Sequence, residues 1–192
     1  QPKQLDVLIP INDIEVVFPQ AYKWYGKSKG VKCIGNGEYA MRAADEGIGE
    51  MKQIECPCDK LKSDQNPQGE CSKRANLMVI LYKVNLGGIY QIDLGSFHSI
   101  IDINSGLDFV TAMIGRFSMV PLVLKRVAKE ITHNGIKQTH YPLQIFLETT
   151  DINYLNDLRT QTDKILAQSN YALPAPKDEN PAMDEEAVIE YI

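Results

Sequence analysis

The spacing of apolar residues changes along this chain, and the changes mark out its elements. Leu5 to Phe18 (LDVLIPINDIEVVF) sets short β-branched runs around Pro10 and Asn12-Asp13. That pattern predicts one or two short strands about a turn, broken at the proline, which has no N–H for a ladder. Tyr22 to Tyr25 (YKWY) is an aromatic cluster. Trp24 is expected to pack against whatever organises the segment after it. From Gly26 to Asn76 the periodicity fades and Gly, Pro, Asp and Lys take over. A stretch of about fifty residues without an apolar core is uncommon in a compact domain unless it is disordered or stapled.

Beyond it the signals strengthen. Leu77 to Val84 (LMVILYKV) and Ile89 to Leu94 (IYQIDL) flank Asn85-Leu86-Gly87-Gly88, a short connection of hairpin type. Ser96 to Ile114 carries Phe97, Ile100, Ile101, Leu107, Val110, Met113 and Ile114 at mostly helical spacing, and Gly115 ends it. Ser105-Gly106-Leu107-Asp108 has the form of a capping box, so two helical pieces broken near Asn104 are expected. Val120 to Glu130 is expected to pair with Gln138 to Glu148 across His133-Asn134-Gly135. Thr150 to Gln168 is amphipathic through Ile152, Leu155, Leu158, Ile165 and Leu166, with a Thr or Asp available as N-cap. After Tyr171 the chain is acidic and contains several prolines, and is expected to be extended or disordered, with Met183 to Ile192 a candidate helix on a partner. The pattern predicts an α+β domain over residues 1–170, with antiparallel β-hairpins packed on two or three helices. A polar insertion at 26–76 and a flexible tail at 171–192 complete it.

Composition narrows the classes. The chain has 192 residues, 44% hydrophobic and 23% charged, enough for one real core. It begins with Gln1 instead of Met, which predicts further native sequence upstream. Charged residues interrupt every apolar run, so a membrane span is not expected. The net charge is −5, and the segment from Pro174 onward accounts for all of it: Lys177 stands against Asp178, Glu179, Asp184, Glu185, Glu186 and Glu190. A formally neutral body argues against autonomous DNA binding through phosphates.

Chemistry is concentrated at four cysteines, Cys33, Cys56, Cys58 and Cys71, all inside the polar insertion. Four thiolates suit tetrahedral zinc, and a closed zinc site contributes folding free energy to a segment too polar to fold by itself. Cys56 and Cys58 are separated only by Pro57, a tighter spacing than that of zinc knuckles. Two disulfides or four inert buried thiols are the alternatives, the first requiring an oxidising compartment. A catalytic zinc needs an open coordination position, which four cysteines do not leave. His98, His133 and His140 show no partner pattern and are expected to be surface or packing residues. Gly35-Asn36-Gly37 and Gly87-Gly88 lack the strand, spacing and helix of a phosphate loop, and no nucleophile elbow or paired zincin histidines occur. The expectation is a structural metal site and no enzyme.

The order of these motifs is distinctive. Cys33-x-Gly-x-Gly-Glu38, Glu55-Cys56-Pro57-Cys58 and Cys71-x-Lys73 run into the hairpin Gly88-Ile89-Tyr90-Gln91-Ile92-Asp93 and the helix start Ser96-Phe97-His98-Ser99-Ile100. Ile103-Asn104-Ser105-Gly106, Gly115-Arg116-Phe117 and Pro121-Leu122-Val123-Leu124 follow. Over roughly Leu5 to Glu148 the chain resembles the recombination directionality factor-like family, which includes large accessory proteins of phage serine integrases and is sometimes labelled only metal-binding.

The resemblance implies a non-enzymatic partner of a large serine integrase in the cytoplasm of a bacterial host. Such a factor is expected to bind near the integrase's zinc-binding domain and coiled coil, meeting DNA only through the integrase, and to switch it from integration to prophage excision. Family members usually carry more sequence before the point where this chain begins. Two other classes stay open on the residues alone. One is a zinc-stapled nucleic-acid-binding module using Lys60, Lys62, Lys73 and Arg74 around the cysteines. The other is a metal-dependent hydrolase, which needs a site of three ligands and a water.

Overall fold

The computed structural model describes residues 4–26, 30–43, 51–63, 65–85, 87–133 and 136–168. In chain order the elements are β1 (Gln4–Val7), a helical turn α1 (Ile14–Val17), β2 (Gln20–Tyr25), β3 (Val31–Gly35), β4 (Tyr39–Ala43) and β5 (Met51–Glu55). Then come β6 (Cys71–Val79), β7 (Tyr90–Leu94), α2 (Phe97–Ile114), β8 (Leu122–Arg126), β9 (Lys129–His133), β10 (Ile136–His140), β11 (Leu143–Leu147) and α3 (Ile152–Gln168). They form an α+β fold with antiparallel sheets in the orders β5-β4-β3-β2-β6-β7, β1-β8-β11 and β10-β9. The main core is shared by β1, β6, β7, α2, β8, β11 and α3, with Phe18, Leu77, Ile100, Ile103, Leu107, Ile114, Leu122 and Leu124 essentially without exposure.

Leu5 to Phe18 holds one short strand and then the turn α1, within what its pattern predicts; Asp13 caps the turn, its carboxylate accepting from the Glu15 N–H at 3.0 Å. Three expectations need correction. Residues 26–76 are not a structureless insertion. They supply β3, β4, β5 and the start of β6, four of the six strands of the largest sheet. The hairpin is present as β6 paired with β7, but β6 starts at Cys71 and its connection spans residues 80–89. The acidic tail beyond Ser169 and the Asn134-Gly135 turn lie outside the described residues, while the long pairing of Val120–Glu130 with Gln138–Glu148 is present as β8 with β11 and β9 with β10.

The third correction concerns α2, which runs unbroken through Asn104. Its N-cap is Ser96, whose Oγ accepts from the Ser99 N–H, and it ends at Gly115 in the left-handed conformation at φ 88°. Gly106 marks a close approach and not a helix start: a Cβ there would lie 2.5 Å from Ile145 Cγ2 and 2.7 Å from the Ile145 carbonyl oxygen of β11. In an exposed helix, glycine to alanine stabilises by about 1 kcal/mol. Here the sign reverses. Gly106→Ala is expected to destabilise the protein by about 1–3 kcal/mol, because helix and strand must separate. A urea unfolding midpoint that rises would mean that α2 and β11 are not packed this closely.

Polar bonds fix the same contact from outside. Asp102 of α2 accepts from Lys129 Nζ and Gln144 Nε2, each at 2.9 Å, and Ser99 Oγ accepts from the Leu143 N–H at 3.0 Å. Burial works against the Asp102 charge, but hydrogen bonds from Lys129 and Gln144 hold its carboxyl below the ordinary value.

A thiol pocket as candidate functional site

In antiparallel pairs, directly opposite residues project to the same face of the sheet. Trp24 of β2 stands opposite Cys33 of β3 on one side and Cys71 of β6 on the other, and Cys33 in turn stands opposite Arg42 of β4. One row across four strands therefore carries Cys71, Trp24, Cys33 and Arg42 on one face. The neighbouring row adds Tyr22, Gly35, Ala40 and Ile54. Farther along that face, Ala75, Leu77 and Leu94 enter the main core. The sheet thus serves two clusters: the main core at its β6–β7 end, and a small one of Cys33, Ala40 and Cys56 with Tyr22, Trp24 and Ile54 at its β3–β5 end.

The segment after β5 closes over the small cluster. The Cys56 N–H donates to Glu38 O at 3.0 Å, and Lys60 O accepts from the Cys71 N–H at 2.8 Å while the Lys62 N–H donates to Cys71 O at 2.7 Å. The Cys56–Pro57 peptide is cis. All four cysteines are thereby brought to one pocket with Tyr22, Gly35, Ala40, Ile54 and Leu61. Its free space is about 10 Å³, the room of a single water-sized body and far too small for an organic substrate. Glycine at 35 is required by this closeness, since a Cβ there would lie 2.8 Å from Cys56 Sγ and 2.7 Å from the Ala40 Cβ.

None of the four cysteines is in a disulfide; Cys33, Cys56 and Cys71 are buried and Cys58 half-buried. They line one pocket without converging on a point: among the described residues no three His, Cys, Asp or Glu side chains are placed to hold a metal ion as they stand. The donor chemistry and the shared pocket fit zinc. Burial, followed by the nearby Cys33, Cys56 and Cys58, pushes the Cys71 thiol up to about 11.

Arg42 is a member of the site that the sequence did not reveal. Its Nη2 donates to Cys58 Sγ at 3.0 Å and its guanidinium lies 5.2 Å from the centre of the Trp24 ring, with Lys32 at 5.3 Å. Burial opposes its charge, but hydrogen bonds to Cys33 and Cys58 raise it above its ordinary value. Trp24 packs where the sequence placed it, against the cysteine region.

The four basic residues near the cysteines do not form one patch. Lys73 and Arg74 are consecutive on β6 and project to opposite faces, lining separate clefts, Lys73 with Lys62 and Phe97, Arg74 with Lys23 and Asp93. Lys60 faces Asp59 at 3.9 Å. The rings of His98 and His140 stand 6.0 Å apart, joining α2 to β10, well away in sequence from the cysteines. Among the described residues no helix is long and apolar enough to cross a membrane.

A family model described as Gp3-like, recombination directionality factor-like, matches residues 1–148. That range contains the complete thiol pocket, both hairpins and α2, and stops short of α3. No curated protein and no solved structure matches the chain.

Proposed function

The chain belongs to the recombination directionality factor-like family, and on that premise we propose that it binds a large serine integrase in the bacterial cytoplasm and switches it from integration to prophage excision. The family match over residues 1–148 carries this reading. Physically the switch is a population shift: the factor binds one arrangement of the integrase more tightly than the other, and a difference of about 3 kcal/mol changes the ratio of the two more than a hundredfold. Such work needs a shaped surface and no catalytic group.

Cys33, Cys56, Cys58 and Cys71 would hold a structural Zn²⁺. Support comes from their shared pocket and from the small apolar cluster that otherwise holds the β3–β5 end. When bound, the metal would supply four bonds joining β3, the segment after β5 and β6. Arg42 would balance the excess thiolate charge from the side of Cys58.

The deciding experiment is recombination in vitro with the cognate integrase and both pairs of attachment sites. Adding the protein is expected to suppress recombination of phage with bacterial sites and to activate recombination of the two hybrid sites. Unchanged yields in both reactions would end the directionality reading.

A further inference from the structure

Arg42 leaves one of its hydrogen-bonding positions unused. Its Nη2 donates to Cys58 Sγ at 3.0 Å and its guanidinium lies 5.2 Å from the centre of the Trp24 ring, yet its buried Nε has no partner among the described residues. A buried N–H without an acceptor is rare in a folded protein. Carboxylates do not account for it, since Arg42 forms no ion pair with an Asp or Glu among the described residues.

The neighbouring strand offers a sulfur instead. Cys33 stands directly opposite Arg42 in the β3–β4 register, on the same face of the sheet, and is 4% exposed. The guanidinium already touches Cys33, but not through a well-directed bond from Nε. A neutral thiol is a weak acceptor, whereas a thiolate is a strong one. The orphaned N–H therefore suits a pocket whose cysteines are ionised and metal-bound.

The other cations nearby lack the shape for this task. Lys32 lies 5.3 Å from the Trp24 ring, and Lys52 stands directly opposite Arg42 on β5; both are exposed, and neither donates to a sulfur among the described residues. An ammonium is a compact point charge. A guanidinium is a rigid fork, and its Nε and Nη2 lie along one edge, able to meet two adjacent acceptors at once.

The geometry points to Arg42 as the positioning residue of the metal site: Nη2 and Nε hold the thiolates of Cys58 and Cys33 side by side, tie the segment after β5 to β3, and set how tightly the pocket keeps zinc. This inference rests on the zinc reading above and names the side chain that governs its affinity.

The test uses the full chain with Arg42→Lys and Arg42→Met. Zinc Kd, measured by competition with a chelator, is expected to rise about tenfold in Arg42→Lys and about a hundredfold in Arg42→Met, the range for losing an outer-sphere partner. Lysine keeps the stem and the charge but not the fork, so it also covers the case in which the methionine variant fails to fold. Loading with Co²⁺ in place of zinc supplies a readout that a merely structural role would not move. A hydrogen bond lowers the energy of the sulfur electrons, so in both variants the sulfur-to-cobalt charge-transfer band is expected at longer wavelength than in the parent. The ligand-field bands of tetrahedral cobalt should keep their positions, and the melting midpoint of the main core should stay within about 2 °C. Variants that hold zinc within about twofold of a zinc-binding parent overturn the role of Arg42 and leave the zinc reading standing. Weaker binding with an unmoved cobalt band makes the arginine a strut of β4 and overturns the inference. An Arg42→Lys chain equal to the parent, beside a weakened Arg42→Met, shows that charge alone suffices and overturns it as well. A parent chain that takes up neither zinc nor cobalt removes both readings.

Discussion

Cys56→Ser is expected to abolish the zinc binding proposed for the thiol pocket and to unfold the β3–β5 end of the six-stranded sheet, while the body built around α2 keeps its own melting transition. The reason is the inequality between the two clusters. Among the described residues the main core buries nineteen side chains, from Val7 to Leu155, whereas the small cluster buries Cys33, Ala40 and Cys56. A fully buried aliphatic side chain contributes about 1.5–3 kcal/mol. Three small ones do not offset the cost of ordering three strands, at about 1–2 kcal/mol per residue. A structural zinc in a small site contributes apparent binding free energies of about 10–16 kcal/mol, enough to reverse that balance. The parent chain should therefore carry one zinc, and Cys56→Ser should carry less than half of that stoichiometry by elemental analysis. Trp24, the single tryptophan, stands opposite both Cys33 and Cys71 and reports the change. Its emission should shift to the red on chelation. A parent chain that is metal-free as purified, with a Trp24 signal and melting curve indifferent to chelator, would make the four thiols an ordinary small core.

The same inequality explains what the sequence concealed. Strands show themselves by alternating apolar and polar residues, and the signal depends on the inward positions being large and apolar. On β6 they are Ala75, Leu77 and Val79, and the strand is evident. On β3 and β4 they are Cys33 and Gly35, then Ala40 and Arg42, while larger apolar residues, Ile34 and Met41, stand outward and exposed. Inverted alternation around small residues looks like loop. The four cysteines were legible as a group because no others occur in the chain. Arg42 gave no such signal, since only the register of β3 with β4 brings it to the pocket.

Helix α2 poses the opposite difficulty, a pattern too rich to resolve alone, and a pair of truncations two residues apart separates its faces. Leu107→Ala is expected to cost about 3–4 kcal/mol, within the usual range for a buried leucine, because its side chain is 1% exposed at the centre of the main core. For a chain of this size that lowers the thermal midpoint by about 6–15 °C. It also removes a large fraction of the roughly 5–15 kcal/mol that holds an ordinary domain together. Phe109→Ala deletes a larger side chain, yet Phe109 is 59% exposed, and the change is expected to stay within about 0.5 kcal/mol of the parent. Alanine's helix propensity even favours the variant by about 0.5 kcal/mol. Urea unfolding of both variants measures the difference directly. Equal losses would place Phe109 in the core, whereas the expected asymmetry leaves an aromatic side chain whose presence folding does not explain.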